Sequence, residues 1–283
     1  MSNFDYFKPQ SLEEVWDLEK KFPGAKYIAG GTDLMVKIKN RSIKPQTLIS
    51  LRSVGLPGID IGEKVRIGAM TTITDLIEHP ELGRIFPVLV QAAKRIGSPQ
   101  IRNVGTVGGN LCNCSPCADT ALALLILDAR VVLRSSRGSR EIALEEFFIG
   151  PGVSCISGGE LMTGILLDKP ASNARAIFMK KGRVKMDLAV ASVGVLLEME
   201  GDICKKARLA VGSVAPVPLR LKKVEELFEN AVISKEIIQE AQKIAVNSIS
   251  PITDIRSNAD YRREIVGVYV KRAVEKLLEK NKR

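Results

Sequence analysis

Two glycine-rich corners constrain this 283-residue chain more than any other feature. The first is Gly30-Gly31 in YIAGGTDLMVKIK, where an apolar run ends and helical spacing begins. A strand that turns into a helix through glycines leaves backbone N–H groups free at the positive end of the helix. Without side chains there, an anionic group such as a pyrophosphate can come close to those N–H groups. Thr32 adds a hydroxyl, and Asp33 stands where it can cap the helix. The second corner is GTVGGNLCNCSPCAD, in which Gly105, Gly108 and Gly109 again permit close backbone approach. Thr106 and Asn110 place small hydrogen-bonding groups among them, while Ser115 and Asp119 precede an apolar helix that they could cap. Two such corners suit a large dinucleotide, whose ribose Ser115 and Asp119 could also reach. Neither matches G-x-G-x-x-G or G-x-x-x-x-G-K-[ST], which disfavours the usual NAD-binding sheet and nucleoside-triphosphate hydrolysis.

Around these corners the chain changes character once. SLEEVWDLEKKF predicts a helix capped by Ser11, with Glu14 completing a capping-box pattern and Pro23-Gly24 stopping it. KYIA predicts a buried strand, TDLMVKIK a short helix and QTLISL a second strand, a βαβ-like unit. KVRIGAM and the helices TTITDLIEH and FPVLVQAAKRI follow. Residues 97–119 carry almost no helical or strand periodicity and read as a long loop, a form that is usually functional. TALALLILDA then predicts a buried helix and RVVLRS a strand. Beyond residues 168–175, DLAVASVGVLLEME and ARLAVGSVA predict a hairpin joined by GDIC. Helices in LKKVEELFEN, SKEIIQEAQKIAVNSI and ADYRREIVGVYVKRAVEKLLEK complete an α+β second half.

Composition narrows the function classes. The formal charge is +10, from 42 Lys and Arg against 32 Asp and Glu, with clusters in KKGRVK and KLLEKNKR. Such an excess can favour nucleic acid, anionic cofactors or acidic partners. Aromatics are only 5% of the chain and do not interleave with the basic clusters, so single-strand nucleic-acid binding is disfavoured. The longest apolar run, ALALLILDA, breaks at Asp128 and falls short of the roughly 18 residues that span a bilayer. MSNFDYFKPQ lacks the pattern of a signal peptide, so a cytoplasmic protein is expected. The lone histidine, His79, precedes a proline and reads as a cap or surface residue, which leaves Ser-His-Asp chemistry unsupported.

AGGTDLMVKIK followed by IRNVGTVGGNLCNCSPCADTALALLILDA resembles the FAD-binding medium subunit of molybdenum hydroxylases, the carbon monoxide dehydrogenase and xanthine dehydrogenase family. The resemblance continues through GELMTGILL, KKGRVKMDLAVASV and ADYRREIVGVYVKRAV, and so covers essentially the whole chain. It implies an α+β protein with a two-lobed FAD-binding domain of the vanillyl-alcohol oxidase (PCMH) type in residues 1–173, with lobes of about 1–55 and 56–173. A C-terminal α+β domain in residues 174–283 follows. It also implies FAD, held at the pyrophosphate by Ile28, Ala29, Gly30, Gly31, Thr32, Asp33 and Leu34. Thr106, Gly109, Asn110 and Asp119 match the second set of FAD contacts, beside Ser115. Met162 falls where an apolar residue lies near the flavin or adenine, and Phe178 where some relatives set an aromatic against the isoalloxazine ring. Lys185 and Asp187 occupy the segment that closes over the cofactor. Tyr261, Arg262 and Arg263 resemble a motif of the last helix and are expected to organise packing or a subunit contact.

By the same resemblance, electrons pass between the iron–sulfur clusters of a [2Fe–2S] small subunit and FAD here. A molybdopterin-binding large subunit carries the substrate chemistry, and NAD or another carrier is the external partner. Cys112, Cys114 and Cys117, with Cys155 as a possible fourth ligand, raise an alternative: a 4-hydroxybenzoyl-CoA reductase-like subunit with an extra Fe–S cluster. That branch carries its cluster in a long insertion this chain lacks, and C-x-C-x-x-C is unlike paired zinc spacing. We read these residues as small buried thiols beside the flavin, with no metal. A self-sufficient flavin oxidase is a further alternative, weakened by the absence of any histidine near either corner.

Overall fold

The structure is a computed structural model, and it describes residues 3–279; the end of the basic KLLEKNKR run lies outside them. The first lobe is a three-stranded parallel sheet in the order Asp5–Phe7, Thr47–Ser50, Lys26–Ile28. Its central strand, TLIS, is buried throughout, whereas Lys26–Ile28 lies at the edge and is only half-buried, against the expectation of a buried strand. The Leu12–Lys21 helix starts as the sequence indicates, with the Ser11 hydroxyl accepting the Glu14 N–H. Its Leu12, Val15 and Trp16 form one apolar face over Ile49, in a cluster that also takes in Val54, Leu56, Met70 and Leu161. The core of this lobe therefore draws on residues beyond position 55.

The second lobe is a five-stranded antiparallel sheet in the order Ile59–Ile61, Lys64–Gly68, Leu161–Asp168, Arg130–Ser135, Gly138–Ala143. Short helices pack on it. His79 ends the Ile73–Glu78 helix and caps the next, its Nδ1 accepting the Leu82 N–H at 3.2 Å. The stretch expected to be a long loop instead holds two six-residue helices, Pro99–Val104 and Val107–Cys112. Ser98 and Thr106 cap them through their hydroxyls, and each helix is too short to display an apolar period in sequence.

The C-terminal sheet pairs Ala174–Lys181, Ala191–Glu200, Ile203–Gly212 and Leu219–Arg220 antiparallel, with Ala231–Val232 added beside Ile203–Gly212. The helices Lys222–Phe228, Lys235–Asn247 and Ala259–Glu279 contribute to one apolar cluster with it, including Val193, Val195, Leu209, Phe228, Val266 and Val270. Its other side meets the helix Asp119–Ile126, whose eight residues are all buried. A helix apolar on every face needs cover on every face. Gly194 and Gly212 supply it on this side, since a Cβ on either would touch Leu122 or Ile126. Fully burying Leu122, Leu124, Leu125 and Ile126 is worth about 1.5–3 kcal/mol each. At the far end of this helix, Arg220 (side chain 4% exposed) bonds Glu225 through Nε and a terminal nitrogen and reaches Asp128 at 3.0 Å. That pairing tacks the C-terminal sheet to the second lobe. Among the described residues no helix is long and apolar enough to cross a membrane.

Candidate functional site

The chain leaves Ile28 at the C-terminal end of its strand, and from Gly30 to Leu34 the backbone N–H groups find no acceptor among the described residues. Five successive unpaired donors at the start of the Leu34–Lys39 helix could receive an anion. Asp33 sits at the cap position, but its side chain makes no capping bond, so the expected cap is absent and the N–H groups stay free.

The two glycines serve geometry first. Gly31 has φ +74°, a conformation side chains rarely adopt, and a Cβ there would face Ile28 and Met35 at 3.2 and 3.3 Å. A Cβ on Gly30 would collide with the Val104 carbonyl oxygen, because the first corner lies directly on the second. Thr32 joins this contact, its hydroxyl oxygen standing 3.7 Å from where a Gly105 Cβ would be.

In the second corner the N–H groups are largely spent within the protein. Val107, Gly108 and Gly109 donate to Thr71 O, Ala69 O and Thr106 Oγ1 at 3.0, 2.9 and 3.0 Å. Gly108 is needed because a Cβ would strike Ala69, and Gly105 because one would meet Ile101 O. The expected close approach at Gly105 and Gly108 is therefore made by protein backbone. Thr106 is buried as a helix cap, while Asn110 accepts from the Thr120 hydroxyl at 2.6 Å and remains half-exposed. Lys37 Nζ donates to Asn113 at 2.9 Å, bridging the two lobes.

Ser115 accepts the Cys117 N–H in a local turn, and the helix that follows has no side-chain cap, so neither Ser115 nor Asp119 caps it. Asp119 is 4% exposed; its Oδ2 takes Lys180 Nζ at 2.6 Å, and its Oδ1 is buried with no partner. Burial pushes the Asp119 carboxyl up to about 6, against the pull of Lys180 and Arg95. A buried orphan acceptor and a run of orphan donors are what a dinucleotide with hydroxyls and a pyrophosphate would satisfy, so the residues present fit FAD.

Met162 and Phe178 are each 4% exposed and belong to the apolar core, with the Phe178 N–H held by Gln91 at 3.0 Å. Lys185 is exposed on the segment of residues 182–190, and Asp187 is paired with Arg183 at 2.6 Å, which lowers its carboxyl pKa. Arg262 is buried and donates to Val190 O, Ser213 O and Asp254, pinning that segment to the last helix. Cys112 is exposed, Cys114 buried, and Cys117 and Cys155 half-buried; burial pushes the Cys114 thiol up to about 11. No group of three His, Cys, Asp or Glu is placed to hold a metal ion among the described residues. Lys180 is the residue that sequence reasoning missed. A cavity of about 520 Å³ lined by Lys21, Lys26, Lys44 and Thr47 opens at the opposite ends of the first lobe's strands.

Residues 2–170 match the family described as FAD binding domain in molybdopterin dehydrogenase, and residues 176–277 match the CO dehydrogenase flavoprotein C-terminal domain. The chain is 34% identical to the nicotinate dehydrogenase FAD-subunit of Eubacterium barkeri, covering 97% of this chain and 96% of that one. It is 33% identical to the carbon monoxide dehydrogenase medium chain of Afipia carboxidovorans, covering 97% and 96%. The solved carbon monoxide dehydrogenase from Hydrogenophaga pseudoflava superposes with a TM-score of 0.94 at 33% identity, over 96% of each chain. With its α+β fold and FAD-binding domain, the chain belongs to the FAD-binding medium subunits of the molybdenum hydroxylase family, the flavoprotein components of molybdenum-containing oxidoreductases.

Proposed function

We propose that this chain passes electrons between the iron–sulfur clusters of a [2Fe–2S] small subunit and NAD or another external carrier, using bound FAD. A molybdopterin-binding large subunit completes the assembly and holds the substrate. In this reading residues 1–173 form the FAD-binding unit and residues 174–283 the domain that closes it. The carrying observation is the run of unpartnered N–H groups from Gly30 to Leu34, packed against the corner that bears Thr106, Gly109 and Asn110. The names of the relatives, a dehydrogenase FAD-subunit and a dehydrogenase medium chain, support the same role.

FAD supplies reversible uptake of electrons; the chain supplies binding and orientation. Backbone donors from Gly30 to Leu34 hold the diphosphate without spending a side-chain cation, and Asn110 and Asp119 offer groups to hydroxyls. The apolar core that includes Met162 and Phe178 keeps the walls behind them dry and rigid. The test is isolation from the native host. The chain is expected to co-purify with two partners, one carrying [2Fe–2S], and its flavin to bleach when the complex meets substrate without oxygen. Purification as a free chain that oxidises a substrate unaided would overturn the reading.

A further inference from the structure

The Asp119–Lys180 pair crosses from one domain into the other. Asp119 opens the buried helix of the first, and Lys180 lies on the strand Ala174–Lys181 of the second. Both side chains are nearly out of solvent, at 4% and 3% exposure, and Nζ also donates to Arg95 O at 3.0 Å. The ammonium is thus held by a carboxylate oxygen and a carbonyl at fixed positions. The other carboxylate oxygen, Oδ1, is buried and unused. Satisfied buried networks rarely leave an ionisable oxygen idle, because an unpaired buried acceptor forfeits its bonds to water with nothing in return.

We propose that Lys180 is a positioning residue for the cofactor: by clamping Oδ2 of Asp119 it keeps that carboxylate ionised and aims Oδ1 at a hydroxyl of the bound dinucleotide. The inference rests on the FAD reading above and deepens it. Lys180 acts through Asp119, and it couples cofactor retention to the docking of the C-terminal sheet, since it reaches Asp119 only when the two domains are joined.

The pH dependence follows from the groups around Asp119. The charged groups facing it are Lys180, from the C-terminal sheet, and Arg95, beyond the Pro87–Ala93 helix; both favour its ionised form against burial. A hydroxyl bonds the ionised carboxylate more strongly than the neutral acid, so FAD affinity is full well above pH 6 and falls as pH drops through about 6. One linked proton gives a limit of about tenfold per pH unit. Without Lys180 the carboxyl protonates at higher pH, and the decline begins nearer neutrality.

The experiment is FAD titration from pH 5 to 8, followed by flavin fluorescence, with cooperative thermal melts as a folding check. Parent, Lys180→Met, Lys180→Arg and Asp119→Asn are compared. Lys180→Met is expected to weaken binding at least about tenfold at pH 7 and to move the midpoint of the decline upward, with Lys180→Arg restoring much of both. Asp119→Asn is expected to flatten the profile. A parent-like profile in Lys180→Met, or a uniform loss with an unmoved midpoint, overturns the positioning role. Should Lys180→Met not fold, a pH-dependent profile persisting in Asp119→Asn overturns it equally. A folded parent that binds no FAD at any pH instead sinks the cofactor reading itself, so the two failures are distinguishable.

Discussion

Gly30→Ala tests the packing of the two corners most sharply. The added Cβ would lie on the Val104 carbonyl oxygen, 2.7 Å from its carbon and 2.9 Å from Gly105 Cα. All three atoms are backbone, so none can swing aside, and the corners must part by an amount on the order of an ångström. Overpacking of this kind costs about 1–3 kcal/mol of stability. The same displacement moves the N–H donors relative to the second corner. Losing one hydrogen bond to a charged group, worth about 1.5–3 kcal/mol, weakens FAD binding roughly tenfold to a hundredfold. Gly31→Ala is the control. Its Cβ meets the movable side chains of Ile28 and Met35, and its left-handed backbone adds about 1–2 kcal/mol of strain without driving the corners apart. Flavin fluorescence titration and denaturant unfolding of both variants give the answer. Gly30→Ala with parent stability and parent FAD affinity, alongside a more damaged Gly31→Ala, would refute the reasoning.

Arg220→Met should cost about 3–5 kcal/mol in urea unfolding, because it strands the Glu225 carboxylate, 5% exposed, in the interior. Its double partner Glu225→Gln, Arg220→Met should recover part of that loss. Hydrogen bonds from Arg140 hold the Glu160 carboxyl down at about 2. Its stabilisation is therefore full above the ordinary carboxylate range and fades as pH falls toward 2. Glu160→Gln should lose about 1–2 kcal/mol at pH 7, allowing for solvent screening, and the difference from the parent should vanish in acid. Changing Cys112, Cys114 and Cys117 together to Ser should leave FAD binding in place, and purified parent should contain no stoichiometric iron, by metal analysis.

The βαβ unit of the first lobe was legible because Pro23-Gly24, Gly30-Gly31 and the apolar runs mark its corners and strands locally. The C-terminal hairpin and its three helices were legible through period and turn chemistry. The two helices in residues 97–119 escaped because six residues cannot show a period, although Ser98-Pro99 and Thr106 were readable as caps. The edge position of Lys26–Ile28 depends on strand order, which no local signal encodes. The glycine corners announced themselves, but that Gly30 and Gly108 make room for backbone rather than ligand is a long-range fact. Lys180 is the clearest limit. In AIFMKKGRVK it looks like one more solvated lysine, and only the fold drops its side chain beside Asp119, far away in sequence.

The most direct test of the cofactor claim is an absorption titration of the purified chain with FAD. The account predicts saturable uptake of one FAD per chain, with the two bands of oxidised flavin bleached by dithionite. A chain that melts cooperatively yet shows no bound-flavin spectrum at any FAD concentration would contradict it.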